Sequence, residues 1–237
     1  MQRVVTLYQS TVGKKVMMAV SGIILFGFVL AHMVGNLKIV QGLNSDGVYA
    51  MDAYAEFLRD FGYPLLPHEG LLWIARIVLL AAVLVHIVAA VQLTQRSRAA
   101  RGGAAYKKQA PLSFSYASRK MRWGGVILAL FIVYHIMHFT TGQAFGALEG
   151  AAFAKGEVYR NYVLAFQNPL IFGVYLLAQA ALCFHLYHGV WSVFQTLGAN
   201  HPRYNALRRP FAVGYAVVVF VGFMIPPVMV LTGALSL

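Results

Sequence analysis

The chain has few charged residues and almost no cysteine, and each shortage excludes a class of protein. Only 11% of its 237 residues are charged and 59% are hydrophobic, whereas about a quarter of a soluble domain is charged. The single cysteine, Cys183, excludes a disulfide framework and a zinc or iron–sulfur site built from cysteines of this chain. No glycine-rich dinucleotide motif occurs, so we expect no flavin or nicotinamide site. We predict a single membrane domain over residues 1–237.

Five apolar runs are each long enough to cross a membrane, which takes about 20 helical residues. They span roughly residues 16–34, 71–93, 123–139, 170–197 and 211–231. The first run does not end in a signal-peptide cleavage pattern and is expected to be retained. Pro169 suits the first turn of the fourth helix, whereas Pro226 and Pro227 should kink or end the fifth. We therefore predict an all-α integral membrane protein, with a short interfacial helix at residues 51–61.

The few charges are sorted between the two ends of these helices. Fourteen of the 19 basic residues lie before the first run, between the second and third, or between the fourth and fifth. All seven acidic residues lie in the other two connections. We call the two ends of the helices the basic end and the acidic end. Because basic loops stay inside, we predict a cytoplasmic N-terminus and an outer C-terminus. The net charge of +12 is then explained by topology, and we expect no nucleic-acid partner.

Each of the first four apolar runs carries a histidine at a definite depth. At 1.5 Å per residue, His32 and His135 lie in the outer half, towards the acidic end, and His86 and His185 lie in the inner half. Side chains from facing helices converge in the core of a four-helix bundle. We therefore predict that the first four helices form a bundle around two stacked b-type haems, with an outer ligand pair (His32/His135) and an inner pair (His86/His185). Haems held by two histidines pass single electrons.

Three other interpretations of these histidines remain open. A histidine in hydrocarbon is costly, but a carbonyl of a neighbouring helix can satisfy it. His138 and His188 each follow a predicted ligand by three residues, so the two pairs could hold a non-haem metal ion. Against that, the apolar runs contain no Asp or Glu to complete a carboxylate site. The histidines could also relay protons in a transporter. His68 and His201 fall in loops and are expected to be solvated.

Several segments resemble the single-chain, five-helix, di-haem cytochrome b subunit of succinate dehydrogenase and fumarate reductase. They are residues 30–36, 85–87, 122–135 and 184–192. Within them the His–x3–Asn, Arg–x12–His and His–x3–Gly–x–Trp–Ser spacings occur in the order expected, and the resemblance extends from about Val12 into the last helix. The family's Arg–x–Thr–Gly pattern reads Arg122-Trp123-Gly124-Gly125 here, without the threonine. The resemblance assigns the same outer and inner ligand pairs as the depth count.

This resemblance implies the membrane-anchor subunit of a succinate:quinone oxidoreductase (complex II) in the bacterial cytoplasmic membrane. Such an enzyme belongs to the respiratory chain and the tricarboxylic acid cycle. Its partners would be a flavoprotein that acts on succinate or fumarate and an iron–sulfur subunit on the cytoplasmic face. Electrons would pass through two haem b groups to a quinone, with menaquinone or a similar carrier expected. Dicarboxylate catalysis would lie in a partner, so no catalytic residue is expected here. The alternative is the di-haem cytochrome b of a formate dehydrogenase, nitrate reductase or hydrogenase, which commonly places two ligands on one helix.

Three further side chains are predicted to lie near a haem propionate or a quinone: Arg76, Arg122 and Ser21. Arg76 is the one charge deep in an apolar run, although it could instead reach the outer headgroups. Glu69 and His68 lie just beyond it and could exchange protons with a quinone. Arg122 and Ser21 fall near the inner end, where charged side chains often only anchor the helix at the interface.

Overall fold

The structure is a computed structural model that describes residues 8–100, 116–199 and 201–237. Its helices, in chain order, are α1 (Thr11–Asn36), α2 (Ala50–Asp60), α3 (Gly70–Ala99), α4 (Tyr116–Phe139), α5 (Val158–Phe166), α6 (Pro169–Thr196) and α7 (Pro202–Leu231). Five of them (α1, α3, α4, α6 and α7) are long and apolar enough to cross a membrane. Apart from one isolated β-bridge, the regular structure of these ranges is helical. The predicted all-α membrane class is confirmed.

The ends of the long helices follow from local chemistry. Ser10 caps α1 by accepting a hydrogen bond from the Gly13 amide at 2.9 Å, and Asn168 caps α6 through the Leu170 amide. Pro169 occupies the first turn of α6, as predicted. The expectation that Pro226 and Pro227 could end the last helix is wrong, because α7 continues to Leu231. Both prolines are buried against neighbouring helices, and such packing helps membrane helices tolerate proline.

Two short helices build a layer over the acidic end. Helix α2 confirms the helix predicted at residues 51–61. Helix α5 was not predicted, although its apolar residues recur at helical spacing. The two helices are joined by the Asp52 carboxylate, which accepts a hydrogen bond from the Tyr159 amide at 2.9 Å, and by the Tyr49 and Tyr159 rings, stacked 3.6 Å apart. The layer also buries Phe166, so the acidic end is closed by packed side chains.

Within the described ranges, the long helices are joined by three large interfaces. The largest interfaces join α1 to α3, α4 to α6, and α6 to α7, and α7 also packs against α1. The fifth helix is therefore part of the assembly, and the Tyr215 hydroxyl donates a hydrogen bond to the Phe26 carbonyl at 2.7 Å. In the part of the chain that the structure describes, α3 forms no extensive interface with α4 or α6. The α1/α3 pair therefore meets the other long helices mainly through the contacts of α1 with α6 and α7.

The burial of the helices agrees with this arrangement. Only 11% of the apolar window of α3 and 6% of that of α4 is buried within the protein, against 39% for α7. Most of the α3 and α4 surface is therefore not covered by other parts of the described chain. Most of the basic connection between these helices, including Arg101, Lys107 and Lys108, lies outside the described residues.

Candidate functional site

The two histidines predicted in the outer half lie together near the acidic end. The ring centroids of His32, on α1, and His135, on α4, are 5.7 Å apart, and their planes are inclined at 77°. Aromatic rings surround the pair: Phe28 stacks on His32, and Phe131 stacks on His135. We call His32 and His135 the acidic-end pair. It joins two helices that otherwise share little surface.

The two histidines predicted in the inner half also lie together. The ring centroids of His86, on α3, and His185, on α6, are 6.1 Å apart at an interplanar angle of 59°. We call them the basic-half pair. Each pair takes one residue from the α1/α3 unit and one from the α4/α6 unit, so both pairs connect the two units. Counting residues along the sequence predicted these partners, and the structure brings them together.

The spacing of both pairs suits a metal ion held between two imidazoles. An imidazole nitrogen binds a transition metal at about 2 Å, so histidines on opposite sides of one ion have ring centres about 6 Å apart. The observed separations of 5.7 and 6.1 Å are close to this value. The residues present therefore fit bis-histidine haems.

The His86 ring is held in one orientation by its own surroundings. Its Nδ1 lies 3.1 Å from the Met18 carbonyl oxygen and 3.3 Å from the Ser21 hydroxyl. Because a carbonyl only accepts hydrogen bonds, Nδ1 must carry the proton and donate it. The neutral ring then has an unprotonated Nε2, which is the form that binds a metal. The His86 ring also packs directly against α1, since a Cβ atom at Gly22 would lie 3.4 Å from it, in ordinary van der Waals contact.

The acidic-end pair is connected to a buried network that the sequence did not predict. The Tyr175 hydroxyl, on α6, lies 3.2 Å from His135 Nδ1 and 2.9 Å from His138 Nδ1. The other nitrogen of His138, Nε2, lies 2.7 Å from a Glu149 carboxylate oxygen. The His138 and Glu149 side chains are 0% and 1% exposed. The i, i+3 spacing of His135 and His138 was the one available sequence signal, and it did not indicate Glu149 or Tyr175.

Glu149 is held as a carboxylate in spite of its burial. Burial alone would raise its pKa, but the hydrogen bonds from His138 and from the Gly146 amide outweigh that effect and hold the pKa of Glu149 below its usual value. Its second oxygen accepts from the amides of Gly146 at 2.6 Å and Leu148 at 3.2 Å. The loop after α4 therefore delivers a stable negative charge to a histidine of the apolar interior.

Helix α6 carries buried polar atoms that the protein itself does not satisfy. His185 Nδ1, His188 Nδ1 and Gln179 Oε1 are buried without a hydrogen-bond partner. Buried polar atoms are normally paired with protein, water or a ligand. All three lie on α6, so this helix has unused capacity to bind a partner in the interior.

The remaining predicted residues lie away from the histidine pairs or beside only one of them. Ser21 lies at the basic-half pair through His86. Arg76 lies 3.5 Å from Glu69 and over the Trp73 ring, and Arg122 is exposed. His68 is exposed, as expected for a loop.

The four-histidine metal site considered above is not formed. Among the described residues, the one cluster of three or more side chains with metal-ligand atoms within reach of one another is the exposed group Glu56, Asp60 and His68. His135 and His138 belong to the acidic end, whereas His185 and His188 lie deeper, in the basic half of α6.

The arrangement can hold two metal-centred groups at two levels between the same four helices. Neutral imidazoles on both sides of an iron would leave no open position and would favour electron transfer. Comparison of the chain with protein-family models, with curated proteins and with solved structures finds no match.

Proposed function

We propose that this chain is the di-haem cytochrome b subunit of a succinate:quinone oxidoreductase, which relays electrons across a membrane to a quinone. The observation that carries the proposal is the pairing of four histidines from four helices, with ring centroids 5.7 and 6.1 Å apart. The spacing motifs shared with the di-haem subunits of succinate dehydrogenase and fumarate reductase direct the proposal to this enzyme class.

The ligands are prepared for iron by the protein around them. His86 donates its Nδ1 proton to the Met18 carbonyl, which leaves Nε2 for the metal. His135 is held by Tyr175, and the rings of Phe28 and Phe131 stack on His32 and His135. When bound between two histidines, haem b supplies reversible one-electron transfer without oxygen chemistry. Two haems at different depths would form a path for electrons along the helices.

The charge distribution indicates where partners would bind. We propose that the basic end faces the cytoplasm and docks the iron–sulfur subunit, which is in turn bound to the flavoprotein. The acidic-end pair would then exchange electrons with menaquinone or a similar quinone. The Arg76–Glu69 ion pair lies at the acidic end of α3 and is proposed to border the quinone site. Arg122 and Ser21 would approach the propionates of the haem in the basic half.

Two other functions lead to different observations. Di-haem subunits of formate dehydrogenase, nitrate reductase or hydrogenase commonly place two ligands on one helix, whereas here each ligand has its own helix. A proton-relaying transporter is favoured by the buried Glu149–His138–Tyr175 network, but it would be colourless. The presence of haem therefore separates the transporter from both cytochromes.

The first experiment is haem quantification on the purified chain. We expect a reduced-minus-oxidised spectrum with b-type bands and two haems per chain. H32A and H135A should each remove the same haem, and H86A and H185A the other. H188A is the matched control, because His188 is also a histidine of α6 with a buried nitrogen, three residues from a proposed ligand. A colourless wild-type protein, or loss of a haem from H188A, would refute the ligand assignment.

The second experiment addresses the enzyme class. Isolation of the native complex should recover a flavoprotein and an iron–sulfur protein, and succinate should reduce both haems. H86A should block reduction of the acidic-end haem by succinate, since electrons would pass through the basic half first. Haem reduction by formate or hydrogen, and not by succinate, would instead favour another dehydrogenase.

A further inference from the structure

A continuous hydrogen-bonded chain runs from the acidic-end loop to His135. It consists of Glu149, His138, Tyr175 and His135, joined by contacts of 2.7, 2.9 and 3.2 Å. Burial of its members excludes water from the chain: the His138 and Glu149 side chains are at most 1% exposed, and Tyr175 is 6% exposed. The chain crosses from a loop to α4, then to α6, and returns to α4.

The chemistry of the groups gives this chain one direction. The Glu149 carboxylate only accepts hydrogen bonds, so His138 Nε2 carries a proton and donates it. The Nδ1 of neutral His138 is then an acceptor, and it takes the single proton of the Tyr175 hydroxyl. The tyrosine oxygen must in turn accept from His135 Nδ1–H. His135 is left with a free lone pair on Nε2, the form in which imidazole binds a metal.

We propose that Glu149 acts through His138 and Tyr175 as a positioning residue, which holds His135 in the metal-binding tautomer and makes it a stronger electron donor. The inference rests on the proposed haem function. A ligand histidine whose other nitrogen donates to an acceptor is more basic, so the chain stabilises the oxidised iron. The His86 ligand has only a neutral carbonyl as its main acceptor. The acidic-end haem is thus tuned by a carboxylate in a loop, and the other haem is not.

The test is a potentiometric titration of both haems in the purified chain, with H185A and H135A used to assign the two steps. Y175F removes the acceptor of His135 and keeps every charge. E149Q removes the charge and keeps the shape. We expect each substitution to shift the acidic-end haem to a more positive midpoint potential and to leave the other haem unchanged. Y159F is the matched control, because this hydroxyl, also at the acidic end, donates to the Ser236 carbonyl and to no histidine.

The double variant Y175F/E149Q distinguishes two ways in which Glu149 could affect the haem potential. Its charge could act through the hydrogen bonds of Tyr175, or directly through space. If Glu149 acts through the chain, E149Q should add little further shift once Y175F has broken it, whereas independent effects add. Full additivity, or no shift in either single variant, overturns the inference. If Y175F does not retain the acidic-end haem, E149D replaces it in the test. A wild-type midpoint potential in E149D, but not in E149Q, supports the hydrogen-bonded chain. Equal midpoint potentials in E149D and E149Q overturn it. A wild-type chain without haem refutes the proposed function instead, so the two failures are distinguishable.

Discussion

The two histidine pairs have similar geometry, but the protein treats them differently. At the acidic end, short helices and loops cover the pair, and a buried network satisfies the second nitrogen of His135. In the basic half, His86 is held by the Met18 carbonyl and the Ser21 hydroxyl, while His185 and His188 each keep an unsatisfied buried nitrogen. The difference shows that the protein supplies a buried partner for His135 at one level, whereas at the other level it leaves buried histidine nitrogens without one.

Truncation of the acidic-end layer should have the largest effect on stability. Phe166 is 2% exposed and contacts Tyr162 and Tyr175. We expect Phe166→Ala to lower the free energy of unfolding by about 4 kcal/mol, the usual cost of deleting a buried aromatic ring. Phe194→Ala, at the half-buried basic end of α6, should cost clearly less. Denaturant unfolding in detergent measures both, and equal losses would contradict the contrast between the two ends.

A matched pair of histidine substitutions tests the contrast at a single side chain. His138→Leu removes two buried hydrogen-bond partners and leaves Glu149 without its buried counterpart, so we expect a loss of about 3 kcal/mol. His188→Leu replaces an unsatisfied buried nitrogen, so stability should stay the same or rise slightly. Thermal melts monitored by circular dichroism report both. A destabilising His188→Leu would show that the basic half already has its polar partners.

Acid should weaken the acidic end specifically through Glu149. Hydrogen bonds hold the folded-state pKa of Glu149 below its usual value of 4.5, so its contribution is fully present above that pH and is lost as the pH falls through the lowered pKa. We therefore expect the melting temperature of the wild type to fall below about pH 4.5. E149Q should be less stable than the wild type at neutral pH, but its melting temperature should fall less as the pH is lowered. Parallel pH profiles for the two proteins would contradict the role of the carboxylate.

The smallest effect is expected at the exposed basic end. The Arg96 guanidinium lies 3.4 Å from the Thr11 hydroxyl on the protein surface. Because exposed contacts contribute little, Arg96→Gln should change stability by no more than about 0.5 kcal/mol. Denaturant unfolding under the conditions used for Phe166→Ala provides the comparison. A loss above 1 kcal/mol would indicate that the basic end is more tightly packed than its exposure suggests.

Much of the fold could be predicted because the membrane restricts the choices. A run of about 20 apolar residues must satisfy its backbone internally, so it forms a helix. The fixed rise per residue then places His32 level with His135, and His86 level with His185. The pairing of these residues required no knowledge of side-chain contacts, which explains why counting was sufficient. Pro226 and Pro227 were expected to kink or end the last helix, and they do not end it. Their burial against neighbouring helices overrides the local preference of proline.

The surroundings of the histidines could not be predicted in the same way. Glu149 lies 11 residues beyond His138, and Tyr175 lies 37 residues beyond it, so no local periodicity links them. The path of the loop after α4 decides which carboxylate enters the interior. The burial of α5 could not be predicted either, because it depends on contacts with two distant segments, α2 and the residues near Ser236.

The amino-acid sequence by itself determined the number of apolar helices, the separation of acidic and basic ends, and the depth of each histidine. These properties depend on composition and on a constant helical rise, and both are local. Only the tertiary structure decided how α7 joins the other helices, which groups contact His135 and His138, and which nitrogens in the basic half remain unsatisfied. Those features depend on the directions in which side chains from distant segments meet, and such meetings are settled by packing.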